Sequence, residues 1–413
     1  MTHRVVITGM GTVNPIGLTV DESWENCVNG VSGIGPITLF DASELPVKIA
    51  GEVKNFDPSQ YMKPAEVRRR DRYEQFATAA AKQALAQAGL EITPDNAARI
   101  GSVVSSSVGG LRALEEAVHT LRDFGSRRIN PFVIPMLMSN GASGLIGIDT
   151  GAKGPAMSVA SACASGADGI GLAWRMIRAG ELDAAFAGDA EATVCAIGVA
   201  SFDRLGAMSR RNGGHELTPQ PFDKDRDGLV MGEGGAVILL ESLENAQARG
   251  AEILAELVGY AATADAFHIT APAEDGAGSA SAMVLAARAA GVNLDEIDYI
   301  NAHGTGTPLN DTAETVAIKR AFGQKAYDVP ISSTKSMTGH MMGATGAVEA
   351  VFCVQAIRAG VIPPTINYRT PDPTCDLDYV PNTAREKKVR VAMSNAFGFG
   401  GHNAVLVIRE FTG

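Results

Sequence analysis

Two stretches of this sequence, 180 residues apart, repeat the same pattern of small and apolar residues. ASGADGIGLAWRMIRAG (164–180) matches ATGAVEAVFCVQAIRAG (344–360) at Ala, at Gly-Ala and at the closing Ile-Arg-Ala-Gly. Each stretch follows a short strand-like run, AMSVAS or VPISST. A repeated unit of strand and helix predicts an α/β protein built from two similar halves.

Helix-like and strand-like segments also alternate elsewhere. AAAKQALAQAGL (79–90) ends at a glycine and precedes the strand-like ARIGSVVSSSVGG, and SASAMVLAARAAGV (279–292) precedes IDYINAHGTGT in the same way. The continuous apolar run GAVILLE is typical of a strand that is buried on both faces. We therefore expect parallel sheets packed around shared central helices, with the halves at residues 1–255 and 256–413.

The N-terminal run RVVITGMG predicts a buried strand that enters a tight turn at its glycines. Gly9 and Gly11 match the start of a dinucleotide-binding motif. The third glycine, Gly17, comes late, however, and Pro15 interrupts the expected start of the helix. The pattern argues against nucleotide binding.

Composition argues against several classes of partner. The formal net charge is −11 at pH 7, and both nucleic acids and anionic membranes need a surplus of Lys and Arg. The sequence shows no signal peptide and no uncharged apolar run of membrane length. Five scattered cysteines without metal or disulfide spacing are typical of the cytoplasm, where we expect the protein: Cys27, Cys163, Cys195, Cys353 and Cys375.

One cysteine and two histidines are the candidates for chemistry. Cys163, in SACASG, lies where a strand-like run meets a helix, so the helix start is expected to favour its thiolate; the alternative is a buried structural cysteine. His303 and His340 lie in Gly/Thr loops of the kind that hold active sites in α/β proteins, or they only bond backbone there. Neither loop has metal-ligand spacing, so no metal site is expected. Because Cys163 and His340 precede the two repeated helices, we expect them to face one shared pocket.

Two further loops have less specific patterns. SNAFGFGGHN (394–403) offers backbone N–H donors for an oxyanion, or is merely a tight strand connection. DKDRDGLVMGEG begins like a calcium loop, but Gly234 occupies the twelfth position and Glu233 comes one place early. This segment is predicted to be a charged structural turn.

Together, the ordered motifs SACASG, PFDKDRDGLVMGEG, NAHGTGTPLND, STKSMTGHMMGATGAVEA and SNAFGFGGHN resemble the β-ketoacyl-[acyl-carrier-protein] synthases of the type I/II branch, over essentially the whole chain. The resemblance implies the thiolase fold, with two pseudo-symmetric halves in a five-layer αβαβα sandwich, usually as a homodimer. It also implies decarboxylative condensation in fatty acid elongation. An acyl chain from acyl carrier protein would form a thioester on Cys163, and malonyl-carrier protein would lose CO₂ and attack it.

The resemblance also assigns roles to individual residues. His303 and His340 match the two catalytic histidines, and Lys335 and Glu349 match a lysine and an acid that pair beside them. Phe399 matches the gatekeeper of the acyl pocket, and its backbone N–H, with that of Cys163, would form the oxyanion hole. Thr305 and Thr307 would bind the phosphopantetheine arm on which the substrate arrives, and no cofactor is expected. Val108 and Phe202 would line the acyl tunnel.

An acidic carrier protein needs local basic charge on an acidic enzyme, and EVRRRDR and SRR supply it; the alternative is a solvated helix face. The expected docking residues are Lys63, Arg68, Arg69, Arg70, Arg127 and Arg128. The chain departs from many relatives at Ala162 and Ala164, where they carry Thr or Ser. It departs from some at Gly206, where they carry Arg, which puts one carrier-protein contact in doubt.

Three related functions compete with fatty acid elongation. A ketosynthase subunit of an aromatic polyketide system shares the motifs and stays open. A non-catalytic chain-length partner lacks the nucleophilic cysteine, so Cys163 argues against it. A thiolase uses a second cysteine near the C-terminus, which SNAFGFGGHN does not have.

Overall fold

The structure, a computed structural model, describes residues 2–413. The strands are β1 (Val5–Val13), β2 (Ile34–Pro36), β3 (Ile49–Gly51), β4 (Ile100–Ser105), β5 (Ala156–Met157), β6 (Ala184–Glu191), β7 (Gly234–Ser242), β8 (Ala255–Ala264), β9 (Tyr299–Asn301), β10 (Ile331–Ser332), β11 (Val361–Ile362), β12 (Arg385–Glu386), β13 (Val391–Gly398) and β14 (His402–Arg409). The α-helices are α1 (Val20–Val28), α2 (Pro64–Val67), α3 (Arg72–Ala88), α4 (Leu111–Phe124), α5 (Val133–Leu137), α6 (Gly141–Thr150), α7 (Ser165–Arg178), α8 (Ala196–Arg204), α9 (Leu243–Ala248), α10 (Ala277–Ala290), α11 (Pro308–Phe322), α12 (Lys335–Thr338) and α13 (Ala344–Ala359).

Two sets of five strands have the same topology. The first runs β5-β4-β6-β7-β1 and the second β10-β9-β13-β14-β8; in each, three parallel strands are followed by two antiparallel ones. The sets meet only where Val6 and Ile7 pair with Glu256 and Ala255. The duplication expected from the repeated helices thus extends to whole sheets, which confirms the predicted α/β fold of two similar halves.

The helices form three layers around the two sheets. The repeated helices α7 and α13 pack against each other between the sheets, and their side chains fill the central core. On the outer faces, α3 and α6 cover the first sheet and α10 and α11 cover the second. The result is the five-layer order of helix, sheet, helix, sheet and helix.

Small residues allow the two central helices to cross closely. The N–H of Gly166 donates a hydrogen bond to the carbonyl oxygen of Gly343 at 3.2 Å. A Cβ on Gly166 would lie 2.6 Å from that oxygen, and a Cβ on Gly346 would lie 3.0 Å from the nitrogen of Ala167. The repeated Gly-Ala pair therefore serves packing, and it brings the segments before α7 and α13 together.

The predicted turn in the N-terminal run is wrong, because β1 continues through both of its glycines to Val13. A Cβ on Gly9 would lie 2.1 Å from the carbonyl oxygen of Ala84, and one on Gly11 2.0 Å from that of Ala80. These glycines admit α3 against the strand. Helix α3 itself ends at the predicted place, since Gly89 adopts a left-handed φ of 59°.

No helix between residues 2 and 413 combines the length and apolar character needed to cross a membrane.

Candidate active site

A cavity of about 310 Å³ lies at the junction of the two halves. It collects most of the side chains that the sequence singled out: Cys163, Phe202, His303, Thr305, Thr307, His340 and Phe399. Gly206 lies on its wall beside the exposed Leu205 and Leu309. Cys163 and His340 therefore face one pocket, as expected from their places before the repeated helices.

Cys163 lies in a short 3₁₀ turn, Ala162–Ala164, directly before α7. Ala162 adopts a left-handed φ of 51°, which is strained for a residue with a Cβ. Gly398 packs against the turn so closely that a Cβ there would lie 2.9 Å from the nitrogen of Cys163. The backbone N–H groups of Phe399 and of Cys163 both lower the pKa of the thiol. They are therefore two donors close to the sulfur, where an oxyanion hole would need them.

The acidity of Cys163 differs from the sequence-based expectation. Burial raises the pKa of its thiol to about 11, against the N–H of Phe399 and the positive charge of Lys335, which lower it. The start of α7 is therefore not enough to hold a thiolate at neutral pH. For a thiol with this pKa to act as a nucleophile, a base in the cavity would have to accept its proton.

His303 and His340 are both buried, with ring centroids 5.3 Å apart and ring planes at 84°. Burial lowers the pKa of each imidazole well below its ordinary value, and the nearby charge of Lys335 lowers both further. Both rings are therefore neutral at physiological pH. His340 Nδ1 lies 3.1 Å from the hydroxyl of Thr345, which fixes the orientation of the ring.

Lys335 and Glu349 form a fully buried ion pair at 2.7 Å. Lys335 opens α12, and Glu349 lies in the second turn of α13. Burial raises the pKa of Glu349 to about 7, and Lys335 opposes that rise. Of this pair, it is the positive charge of Lys335 that acts on the histidines and lowers the pKa of both rings.

Two acids on α11 hold the loop of His303, and the sequence analysis missed both. Glu314 accepts hydrogen bonds from the backbone N–H groups of His303 at 2.8 Å and Gly304 at 2.7 Å. Asp311 accepts from the N–H of Thr305 at 3.0 Å. The available signal was a pair of acids three residues apart at the start of the helix that follows NAHGTGTP.

The calcium-like segment is a structural turn, as predicted. The carboxylate of Asp223 accepts from the N–H groups of Arg369 and Thr370, and Arg226 pairs with Asp372 at 2.6 Å. Further on, the segment braces His340: Val230 O accepts from the N–H of His340 at 2.7 Å, and His340 O accepts from that of Gly232 at 2.8 Å. Among the side chains that the structure describes, those of residues 2–214 and 216–413, no three of His, Cys, Asp or Glu are placed to hold a metal ion.

The basic residues expected to dock a carrier protein divide into two groups. Arg68, Arg69 and Arg128 line one shallow depression, where the guanidinium of Arg69 lies 4.9 Å from the ring centroid of Phe132. Lys63 and Arg127 are also exposed. Arg70 is not available for docking, because it is buried in an ion pair with Asp149 at 2.6 Å.

The two expected tunnel residues occupy different surroundings. Phe202 stacks on Phe399, with ring centroids 6.1 Å apart. Val108 does not line this cavity; it is 41% exposed and follows Ser106 and Ser107, whose hydroxyls donate to the buried carboxylate of Glu191. A tunnel role for Val108 stays a prediction.

The fold is that of the thiolase-fold ketosynthases, which are acyltransferases. Residues 2–246 match the model of the β-ketoacyl synthase N-terminal domain, and residues 254–369 match that of the C-terminal domain. The chain therefore belongs to the β-ketoacyl synthase family.

Named relatives cover nearly the whole chain. The 3-oxoacyl-[acyl-carrier-protein] synthase 2 of Synechocystis sp. is 48% identical over 408 residues, which are 99% of this chain and 98% of the relative. The enzyme of the same name from Staphylococcus aureus strain COL gives the same identity and coverage.

Solved structures agree on the fold. A β-ketoacyl synthase from Burkholderia phymatum superposes with a TM-score of 0.92 at 36% identity, covering 99% of this chain and 100% of its own. A ketosynthase solved in complex with a type II polyketide acyl-carrier protein gives 0.91 at 34% identity, covering 100% of both chains.

Proposed function

We propose that the protein condenses malonyl-acyl-carrier protein with an acyl group held on Cys163, releasing CO₂ and giving a 3-oxoacyl-acyl-carrier protein two carbons longer in type II fatty acid elongation. The observation that carries the proposal is one cavity lined by the Cys163 thiol, by Phe399, whose backbone N–H lowers the pKa of that thiol, and by two neutral imidazoles. The names of the relatives at 48% identity support the same reaction.

In the first half-reaction, the sulfur of Cys163 attacks the thioester carbonyl of the acyl-carrier protein. A neutral imidazole of the cavity accepts the thiol proton, because a thiol with a pKa near 11 does not ionise by itself. The N–H groups of Cys163 and Phe399 hold the carbonyl oxygen as it becomes negative. The C–S bond to the carrier breaks, and its thiolate leaves with the proton.

In the second half-reaction, the malonyl thioester loses CO₂, and negative charge develops on its thioester oxygen. Neutral His303 and His340 can each donate an N–H there, and Lys335 adds a fixed positive charge nearby. The resulting carbanion attacks the acyl thioester on Cys163. A C–C bond forms, the C–S bond to Cys163 breaks, and the Cys163 thiolate takes up a proton from solvent, which the overall condensation consumes.

Replacement of the nucleophile tests the proposal. Cys163→Ala is expected to abolish elongation of acyl-carrier protein while the protein stays folded, because no thioester can form. Cys27→Ala, at a buried cysteine of α1, is the matched control and is expected to keep full activity. Substantial condensing activity in Cys163→Ala would contradict the mechanism.

A ketosynthase subunit of a polyketide system is the second candidate, because one structural neighbour is the ketosynthase of a type II polyketide carrier protein and another is a ketosynthase with a chain length factor. One is the carrier-protein complex above, and the other is the ishigamide ketosynthase/chain length factor, with a TM-score of 0.92 at 38% identity. Elongation by the purified chain alone favours the fatty acid assignment. Activity that appears only with a second, chain-length subunit favours the polyketide one.

We propose that acyl carrier protein docks at Lys63, Arg68, Arg69, Arg127 and Arg128 and passes its phosphopantetheine arm into the cavity. The hydroxyls of Thr305 and Thr307, 2.9 Å apart, would bind that arm, and no cofactor of the enzyme's own takes part. Arg68→Glu with Arg69→Glu is expected to raise KM for acyl-carrier protein at low salt, whereas Lys325→Glu is the control. An unchanged KM would place docking elsewhere.

We further propose that the protein is a homodimer. Helix α4 exposes an apolar stripe of Leu114, Val118, Leu121 and Phe124, and β5 is an edge strand that pairs with β4 on one side only. A second copy would cover both by two-fold symmetry. Val118→Glu with Leu121→Glu is expected to give monomers in analytical ultracentrifugation, and a dimer that survives both changes would exclude this face.

A cytoplasmic location and a division of the chain near residue 255 complete the proposal. Five free thiols support a reducing compartment. The second set of strands begins with β8 at Ala255. The first family-model match ends at residue 246 and the second begins at residue 254, so the division at 255 lies one residue inside the second match. Separate expression of residues 1–255 and 256–413, followed by mixing, tests whether the halves are units of assembly.

A further inference from the structure

The turn that carries the nucleophile is held by side chains that no step of the reaction uses. Its strained residue, Ala162, is fixed from one side by Ser165, whose hydroxyl donates to Ala162 O at 2.7 Å and accepts from the N–H of Ser161 at 2.9 Å. A conformation of this kind persists only where surrounding contacts enforce it. The hydroxyl of Ser161 makes a separate contact on the other side of the turn.

That contact leads to the second half of the molecule. Ser161 Oγ donates to Asp168 Oδ2 at 2.5 Å, and the hydroxyl of Tyr260 donates to Asp168 Oδ1 at 2.7 Å. All three residues are buried, so water does not offer these groups easy alternative partners. Asp168 lies on α7, and Tyr260 lies on β8, the first strand of the second sheet.

Tyr260 is itself held firmly. Its ring packs on Gly171 so closely that a Cβ there would lie 2.3 Å from the ring, and the guanidinium of Arg175 lies 4.8 Å from the ring centroid. The hydroxyl of Tyr260 therefore gives Asp168 a fixed partner. Asp168 in turn gives Ser161 a fixed acceptor.

We propose that Asp168 and Tyr260 are positioning residues that act through Ser161, holding the strained turn so that the thiol and N–H of Cys163 face the site of the developing oxyanion. The proposal rests on the proposed function, which supplies the acyl thioester as substrate. In it, the contact between Tyr260 of the second half and Asp168 of the first helps to orient the thiol of Cys163. Neither positioning residue lines the cavity.

The proposal predicts different effects on the two half-reactions. Acyl transfer needs the N–H and the thiol of Cys163 in register with the thioester, and small misplacement of reacting groups costs about 100-fold in rate. Decarboxylation of malonyl-carrier protein in the absence of an acyl donor depends on the histidines instead. A merely structural role would lower both rates together by lowering the folded fraction.

The experiment compares Asp168→Ala, Tyr260→Phe and Ser161→Ala in the full-length protein. Single-turnover acylation of Cys163 is expected to slow by about 10- to 100-fold, with KM for acyl-carrier protein and the decarboxylation rate nearly unchanged. Asp168→Asn is expected to lose less than Asp168→Ala, because the amide keeps one acceptor and both hydroxyls can reorient. Tyr73→Phe, at a buried tyrosine that donates to Met138 O, is the matched control.

A double variant tests the connection itself. Ser161→Ala with Tyr260→Phe is expected to be no slower than the slower single variant, because both interrupt one chain of contacts. Normal acylation in folded Tyr260→Phe and Ser161→Ala would overturn the proposal, as would equal losses in both half-reactions. If Asp168→Ala does not fold, these two variants still decide the question.

Alkylation of Cys163 by iodoacetamide, followed by mass spectrometry, separates failure of this proposal from failure of the proposed function. If the wild-type protein neither accepts acyl groups nor decarboxylates malonyl-carrier protein, the proposed function fails. The alkylation rate still reports the geometry of the turn. It is expected to fall at least about threefold in Tyr260→Phe and Ser161→Ala but not in Tyr73→Phe, and equal rates in all three would contradict the positioning role.

Discussion

The starts of the two central helices have the same backbone and different chemistry. Cys163 precedes α7, and the matching residue before α13 is Gly343. Glu349 on α13 matches Gly169 on α7, where a Cβ would lie 2.8 Å from Ser105 Oγ. The first copy holds the Cys163 thiol in a close-packed environment, whereas the second leaves space for the Lys335–Glu349 pair.

The loops after the matching strands differ in the same way. Strand β9 leads into His303, whereas its counterpart β4 leads into Ser106 and Ser107, whose hydroxyls donate to the buried Glu191. The first half therefore supplies the thiol, and the second supplies both neutral histidines and the lysine. The repeat places two helix starts at one junction. The two halves then differ in the side chains that they place there.

The largest expected effect comes from removing the two histidines that the second half contributes to the cavity. His303→Ala and His340→Ala are each expected to slow malonyl decarboxylation by about 10² to 10⁴, because each removes a neutral hydrogen-bonding group from the cavity. CO₂ release from malonyl-carrier protein measures the effect. His3→Ala removes a histidine of the first half that pairs with Glu244 and is expected to change nothing. Normal CO₂ release in both cavity variants would refute the division.

The sequence predicted features that depend on local pattern. The ends of α3 and α10 follow from Gly89 and Gly291, whose left-handed φ terminates each helix. The pairing of helix starts followed from the repeat, because identical units tend to pack symmetrically. Local pattern was enough wherever a single residue or a repeated motif determined the backbone.

Features that depend on distant segments were missed. Arg70 looks like its exposed neighbours in sequence, but Asp149, 79 residues away, buries it in an ion pair. The high pKa of Cys163 arises from burial by both halves, which outweighs the helix start. The acids Asp311 and Glu314 accept backbone hydrogen bonds only in the folded loop of His303, so their role is not visible in the sequence. In each case the environment of a charge, and not its identity, determines what it does.

A second prediction concerns a variant that makes α13 resemble α7, in which Glu349 is replaced by the glycine found at the matching position, Gly169. Glu349→Gly leaves Lys335 buried without a partner and is expected to lower the free energy of unfolding by about 3–5 kcal/mol. Lys335→Met together with Glu349→Gln should recover much of that stability but not decarboxylation. Urea unfolding and CO₂ release measure the two effects separately.

The control for this ion pair is Lys325→Met, at an exposed pair with Asp328, which should change stability by no more than about 0.5 kcal/mol. Equal stability of Glu349→Gly and the wild type would mean that Lys335 has another compensating partner. Full activity of the double variant would mean that the charge of Lys335 takes no part in the chemistry.

The smallest expected effect sharpens the comparison at the helix crossing. Gly166→Ala and Gly346→Ala add the same methyl to matching positions, but the first would lie 2.6 Å from Gly343 O and the second 3.0 Å from Ala167 N. Overpacking of this kind costs about 1–3 kcal/mol, and we expect Gly166→Ala to lose more. Gly144→Ala, with no neighbour within 4 Å, is the control and should gain stability by up to about 1 kcal/mol. Because Gly166 also lies three residues from Cys163, the proposed nucleophile, only its variant should slow acylation of Cys163. A larger loss of unfolding free energy in Gly346→Ala than in Gly166→Ala would mean that Gly346 makes the tighter contact.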